Sequence, residues 1–286
     1  MINSVWERYE NLIPSLFLDP LRSLESDLEN DPEHIDKTAI FDLDNTLLIG
    51  DIGDALFARL KNLEKKNSLK TDGSKIAFTW KQYRDLIEKG NKIEAYKNVV
   101  TCMEGISISI IENLTKEIMN SDFRYIEHEK EKIPVPAINE IMKKFMELLK
   151  SLDYKVYIIS ASNIYSVRFI AGYFFRIPAE QAFGIETELT LNSNKEYILS
   201  GRLKEPVPVG SGKVDLYRLK EGNHSPLIAA GDSIPDIPMM ELVDKKGFNI
   251  WVGNDEQVFK KIKGSVKNPK NFYYFNRNRD YFRRNT

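Results

Sequence analysis

The chain has 286 residues, 42% of them hydrophobic, enough to bury a sizeable core and to divide into more than one domain. Its 41 basic and 42 acidic residues nearly cancel, which argues against a dedicated nucleic-acid binder with its basic excess. A single cysteine, Cys102, excludes an intrachain disulfide, and no apolar run approaches the ~20 residues of a membrane span. The opening MINSVWERYE has no basic segment leading into an apolar one, so a cytoplasmic location is expected.

Taken in chain order, residues 1–35 carry Pro14, Pro20 and Pro32 with short apolar clusters, and read as a helical extension. Thr38 to Phe41 form an apolar run of the kind that makes a strand buried on both faces in a parallel sheet. Asp42 and Asp44 follow at once. A buried strand does not tolerate two carboxylates in its middle, so they belong where it emerges, at the end where open α/β sheets bind ligands. Two neighbouring carboxylates also repel, and a divalent cation between them is the natural relief.

From Asp51 to Pro136 the period becomes helical. Leu56, Leu60 and Leu63 mark one helix, Ile93, Tyr96, Val99, Val100 and Met103 a second, and Ile111, Leu114 and Ile118 a third. The polar stretch 65–74 reads as a loop, and no convincing strand interrupts the segment, so it is expected to form a cap over the site. A long amphipathic helix then runs from Ala137 to about Leu152. It leads to a second buried strand, Lys155 to Ser160, closed by Ser160-Ala-Ser-Asn163 ahead of an apolar helical run to Phe175. Residues 182–209 read as a strand with a hairpin, Gly210-Ser-Gly-Lys213 as a helix start, and Pro226–Ala230 and Gly247–Val252 as two more buried strands. The third buried strand ends in Gly231-Asp-Ser-Ile-Pro-Asp236.

The strand ends and their flanks therefore supply Asp42, Asp44, Ser160, Lys213, Asp232 and Asp236. Phosphoryl transfer through a covalent intermediate needs such a set: an attacking carboxylate, an ammonium and a hydroxyl for the phosphoryl oxygens, and further carboxylates to hold magnesium. Asp42-Leu-Asp44-Asn-Thr46, Ser160, Lys213 and Gly231-Asp-Ser-Ile-Pro-Asp236 resemble, in order, the four motifs of the haloacid dehalogenase superfamily. The helical insert and the stretch Gly201 to Lys213 are similar to its phosphoserine phosphatase-like branch. The resemblance spans roughly residues 36–255.

It implies an α/β fold, a Rossmann-like parallel sheet core with an inserted all-helical cap, core 36–50 and 137–265 and cap 51–136; the aromatic and basic C-terminal segment 266–286 stands apart from it. It also implies a Mg2+-dependent phosphomonoesterase acting on a small-molecule phosphate ester through an aspartyl phosphate. Asp42 would be nucleophile and metal ligand, and Asp44 general acid–base and backbone ligand. Thr46, Ser160 and Lys213 would meet the phosphate, Asp232 the metal, with Asp236 and Ser233 in support. An aspartate at position 44 resembles the phosphatases and phosphomutases; the superfamily's dehalogenases and P-type ATPases lack it. The branch usually shows Ser-Gly-Gly where this chain has Ser160-Ala-Ser162, and a substrate-holding glutamate where it has Asp51. Both differences leave room for a substrate other than phosphoserine, an amino- or ammonium-alcohol phosphate among the candidates. The alternatives are a phosphomutase or phosphotransferase with the same residues, and a non-catalytic regulatory protein of the same fold.

Several other signals have plainer readings. Asp51 serves equally as a helix cap. Trp80, Tyr83 and Tyr96 read as core ahead of an ammonium cage. Gly210 to Lys213 is not a phosphate-binding P-loop, because Val214 stands where a Ser or Thr is needed. His34, His128 and His224 are scattered and suggest no metal cluster. The tail from Lys267 is expected to dock on the core, with no partner in nucleic acid or membrane.

Overall fold

The computed structural model describes residues 2–30, 36–69 and 76–277. Pro32, His34, residues 70–74 of the expected loop and the tail arginines beyond Arg277 lie outside them. The chain opens with α1 (Ile2–Tyr9) and α2 (Ser15–Glu29), then β1 (Thr38–Phe41), β2 (Leu48–Ile49) and α3 (Ile52–Lys65). Next come α4 (Trp80–Glu88), α5 (Lys92–Thr101), α6 (Ile108–Met119), β3 (Tyr125–His128), β4 (Glu131–Pro134) and β5 (Ala137–Ile138). The middle of the chain gives α7 (Glu140–Ser151), β6 (Lys155–Asn163), α8 (Ile164–Ile170), β7 (Ala182–Ile185), β8 (Thr187–Leu191) and β9 (Tyr197–Leu203). It closes with α9 (Ser211–Glu221), β10 (Ile228–Gly231), α10 (Ile237–Met240), β11 (Phe248–Gly253), α11 (Glu256–Lys263) and β12 (Phe272–Asn276).

The main sheet has the order β12-β11-β10-β1-β6-β7. Its central strands pair in parallel, Phe41 opposite both Ala230 and Ile158, and β11 with β12 likewise. Every residue of β1 and β10 is buried, as an apolar strand covered on both faces must be. This is the α/β parallel-sheet fold expected from the sequence.

Two compact units partition the chain, Met1–Ile49 with Ile138–Ile159 and Gly210–Thr286, and Gly50–Ala137 with Ser160–Val209. In the first, Phe17 of α2 stands 5.1 Å from Phe145 of α7 and 5.2 Å from Phe275 of β12, ring centre to ring centre. The N-terminal helices, the crossover helix and the last strand thus share one core. On β11 and β12, Trp251 and Phe272 pack with Met240, Phe259 and Ile262. Lys267 to Asn276 therefore does not trail over the surface: its aromatic run supplies a paired strand.

The second unit is built on α3, whose inward face carries Ile52, Ala55, Leu56, Phe57, Ala58 and Leu60. Phe57 meets Phe78, Trp80 and Tyr83 at 5.9, 5.8 and 5.8 Å. Trp80 and Tyr83 are core residues, as the plainer reading held. The insert is helical with two additions to the sequence reading. A fourth helix, α4, starts at a capping box in which Thr79 and Gln82 each satisfy the other's backbone amide. The expectation of no strand before Pro136 is corrected by the antiparallel hairpin β3–β4, with Tyr125 opposite Pro134 and His128 opposite Glu131. Its residues are mostly exposed or half-buried, so no apolar alternation announces it. A second hairpin, β8–β9, turns at residues 192–196, where the Asn192 side chain accepts from the amides of Asn194 and Glu196.

Candidate active site

Asp42 is the first residue beyond β1, its amide still bonded to the Ala230 carbonyl of β10 at 2.9 Å. The chain then winds through a wide turn, Leu43–Leu47, in which Leu43, Thr46 and Leu47 are buried. Asn45 takes a left-handed conformation there, φ 61°. Asn139, the N-cap of α7, braces this turn: its Nδ2 donates to the Thr46 carbonyl at 3.0 Å and its amide to the Leu47 carbonyl at 2.9 Å. The Thr46 hydroxyl is buried with no hydrogen-bond partner among the described residues.

Lys213, in the first turn of α9, is 2% exposed. Its ammonium lies 2.6 Å from Asp42 Oδ1 and 2.6 Å from Asp236 Oδ1. Asp236 is itself fixed through its other oxygen, which accepts from the amides of Asp232 and Ser233 and from the Ser233 hydroxyl at 3.1, 3.0 and 2.9 Å. Gly231 makes this approach feasible, since a Cβ there would fall 2.5 Å from that of Asp236. Lys204 pairs with Glu186 at 2.8 Å on the surface, and Lys195 occupies the β8–β9 turn.

Electrostatics follow from burial. Burial pushes the Asp42 carboxyl up to about 8 against the pull of Lys213, with Asp236 and Asp44 adding to the rise. Asp232 is raised well above the usual carboxylate range, first by burial, then by Asp236 and Asp42, while Arg277 and Lys213 oppose. Burial works against the Lys213 charge, but Asp236 and Asp42 outweigh it and hold the ammonium firmly protonated.

A family model described as haloacid dehalogenase-like hydrolase matches residues 39–241. The chain belongs to the haloacid dehalogenase-like hydrolases. Among solved structures it is similar to a conserved functionally unknown protein from Anaerococcus prevotii DSM 20548, at 15% identity and TM-score 0.61, covering 91% of this chain and 94% of that one. It is similar also to a protein with unknown function from Bordetella pertussis Tohama I, at 18% identity and TM-score 0.56, with coverages of 81% and 96%. A phosphoserine phosphohydrolase-like protein from Francisella tularensis subsp. tularensis SCHU S4 follows at 18% identity and TM-score 0.51, with coverages of 84% and 95%. At such identities the likeness is one of fold. No curated protein matches the sequence.

The first unit of this hydrolase thus brings together Asp42, Lys213, Asp232, Ser233 and Asp236, with Asp44 and Thr46 on the adjoining turn. Ser160 and Asp51 belong to the second unit. Ser160, fully buried in β6, accepts from the Ser162 amide at 3.0 Å, and β6 runs on to Asn163, which caps α8. Asp51 caps α3 by accepting from the Asp54 amide at 3.0 Å.

Magnesium, which the family implies, suits the donors present. Carboxylate oxygens of Asp42, Asp232 and Asp236 lie within 4.8 Å of one another, a hard-oxygen set. Asp236 is engaged by Lys213 and by its own loop, which leaves Asp42 and Asp232 as the candidate side-chain ligands. Their raised carboxyls are what a dication would reverse. Sequence reasoning missed two residues: Asn139, which looks like any helix cap, and Arg277, whose Nη1 donates to the Asn45 carbonyl at 2.6 Å.

Proposed function

We propose that this hydrolase is a Mg2+-dependent phosphomonoesterase that acts on a small phosphate ester. The observation that carries the reading is Lys213, buried and held between Asp42 and Asp236 at 2.6 Å from each. An ammonium fixed there has little use except beside an anion that arrives at Asp42. Asp42 attacks phosphorus and becomes an aspartyl phosphate, and Lys213 meets the charge spread over the phosphoryl oxygens. Asp44 protonates the leaving oxygen and then takes a proton from the attacking water. Thr46, with its orphaned hydroxyl, and Ser160 are the further phosphate contacts. Asp236 and Ser233 keep Lys213 and the Asp232 loop in place. When bound between Asp42 and Asp232, magnesium would supply the positive charge that keeps Asp42 ionised and lets a phosphate dianion approach it.

Substrate choice belongs to the second unit. Asp51 acts as a helix cap, Trp80 and Tyr83 are buried, and Asp54 accepts from the Tyr83 hydroxyl, so these side chains lend an ammonium-bearing ester no particular support. The test is phosphate release from phosphoserine, phosphocholine, phosphoethanolamine, sugar phosphates and nucleotides, with and without magnesium. Magnesium-dependent release that falls to background in Asp42→Asn is the expected result. Wild-type rates in that variant would overturn the nucleophile assignment, and silence across the panel would overturn the phosphatase reading.

A further inference from the structure

Arg277 stands one residue past β12, whose pairing with β11 ends at Gly253 opposite Asn276. Because these strands run parallel to β10 and β1, it emerges at the same edge of the sheet as Asp232 and Asp42. Its Nη1 reaches the Asn45 carbonyl at 2.6 Å, although the two residues are 232 positions apart in sequence. Asn45 is in the left-handed region, which asparagine tolerates better than other non-glycine residues, so the bond from Arg277 adds to a preference that the residue already has. The peptide it begins leads into Thr46, and the one it ends comes from Asp44. The guanidinium also lies close enough to Asp232 for each to act on the other's charge. Its Nε is buried and has no hydrogen-bond partner among the described residues.

Counting charges gives the same residue a second use. With all four ionised, as a bound dication would make them, Asp42, Asp44, Asp232 and Asp236 outnumber Lys213, the one cation from the family motifs. With Arg277 included, the surplus is two negative charges, which a single divalent cation matches.

We propose that Arg277 is a positioning residue of the active site: its bond to the Asn45 carbonyl fixes the turn that carries Asp44 and Thr46, and its guanidinium supplies the site's second cation. The catalytic half of this rests on the phosphatase reading; the fixing of the turn does not. A planar guanidinium suits the task because one nitrogen can hold a carbonyl while the delocalised charge serves a carboxylate. A lysine in its place has no such fork.

The test uses the full chain with Arg277→Met and Arg277→Lys, the lysine variant standing in should the methionine variant fold poorly. Amide exchange over residues 43–47 is expected to quicken about 10-fold in either variant, while β1 and β10 keep their protection. With p-nitrophenyl phosphate and magnesium, kcat should fall about 100-fold with KM nearly unchanged, as a misplaced acid–base group requires. Unchanged exchange over residues 43–47 overturns the positioning role. Faster exchange with wild-type kcat overturns its catalytic meaning. Should the wild-type chain hydrolyse no phosphoester, the phosphatase reading falls and the exchange measurement alone decides the role of Arg277.

Discussion

Both oxygens of Asp236 are committed inside the fold, one to Lys213 and the other to two amides and a hydroxyl. An asparagine is isosteric but carries two donors where one oxygen was. Whichever way it turns, an NH2 group faces either an ammonium or the donors of Asp232 and Ser233. Asp236→Asn is therefore expected to cost about 3 kcal/mol of stability, the range for breaking a buried ion pair by removing one partner. Urea unfolding reads this directly, and a loss below about 1 kcal/mol would mean that Asp42 alone suffices to hold Lys213. Asp42, Asp44 and Asp232 stood out in the sequence because each breaks or abuts an apolar run at a strand end, whereas Lys213, in the first turn of α9, stood out through the family resemblance. Asn139 and Arg277 did not. A cap asparagine and one arginine in a basic, aromatic tail look ordinary until the turn they hold is in view.

Asn139 couples the start of α7 to the turn after β1. Its Oδ1 accepts from the Met142 amide at 3.4 Å while its Nδ2 donates to Thr46. Asn139→Ala removes both and should cost about 2 kcal/mol, roughly half from the lost cap and the rest from a buried carbonyl left without its donor. Asn139→Ser keeps a good cap but cannot reach Thr46, so its loss should be about half as large. Equal losses in a denaturant titration would show that the cap contributes nothing. At this scale the buried strands were legible because four or more apolar residues in a row leave little else to be. α4 carried a readable signal in Thr79-Trp-Lys-Gln82, but only one turn of it. β12 was harder to see, since a parallel strand has no local turn to announce its partner. The β3–β4 hairpin keeps Tyr125 half in solvent and so lacks the alternation that marks a strand.

Each unit of the molecule has its own core, and that of the second contains a titratable group at an exposed-looking sequence position. His128 is buried against Trp80, with ring centres 5.5 Å apart, and its Nδ1 lies 2.8 Å from Asn62 Oδ1. Its Nε2 is buried with no hydrogen-bond partner among the described residues, and Glu129 stops 3.9 Å short of it. Burial lowers the His128 pKa; Lys61 and Lys65 act in the same direction, and Glu129 and Glu131 oppose. A folded state that favours neutral imidazole binds fewer protons than the unfolded chain near the ordinary histidine pKa. Its contribution is therefore present above that pKa and is lost as pH falls through it. Carboxylates elsewhere also titrate in acid, so the wild-type curve alone does not isolate the effect. His128→Gln does, because glutamine stays neutral at every pH used. The stability of the wild type relative to this variant should shrink between pH about 7.5 and 5. Amide exchange should place the loss in α3, α4 and the β3–β4 hairpin, with β1 and β10 unaffected. A difference that stays constant with pH would mean that His128 binds protons equally in the folded and unfolded chain, and its burial would then carry no pH sensitivity.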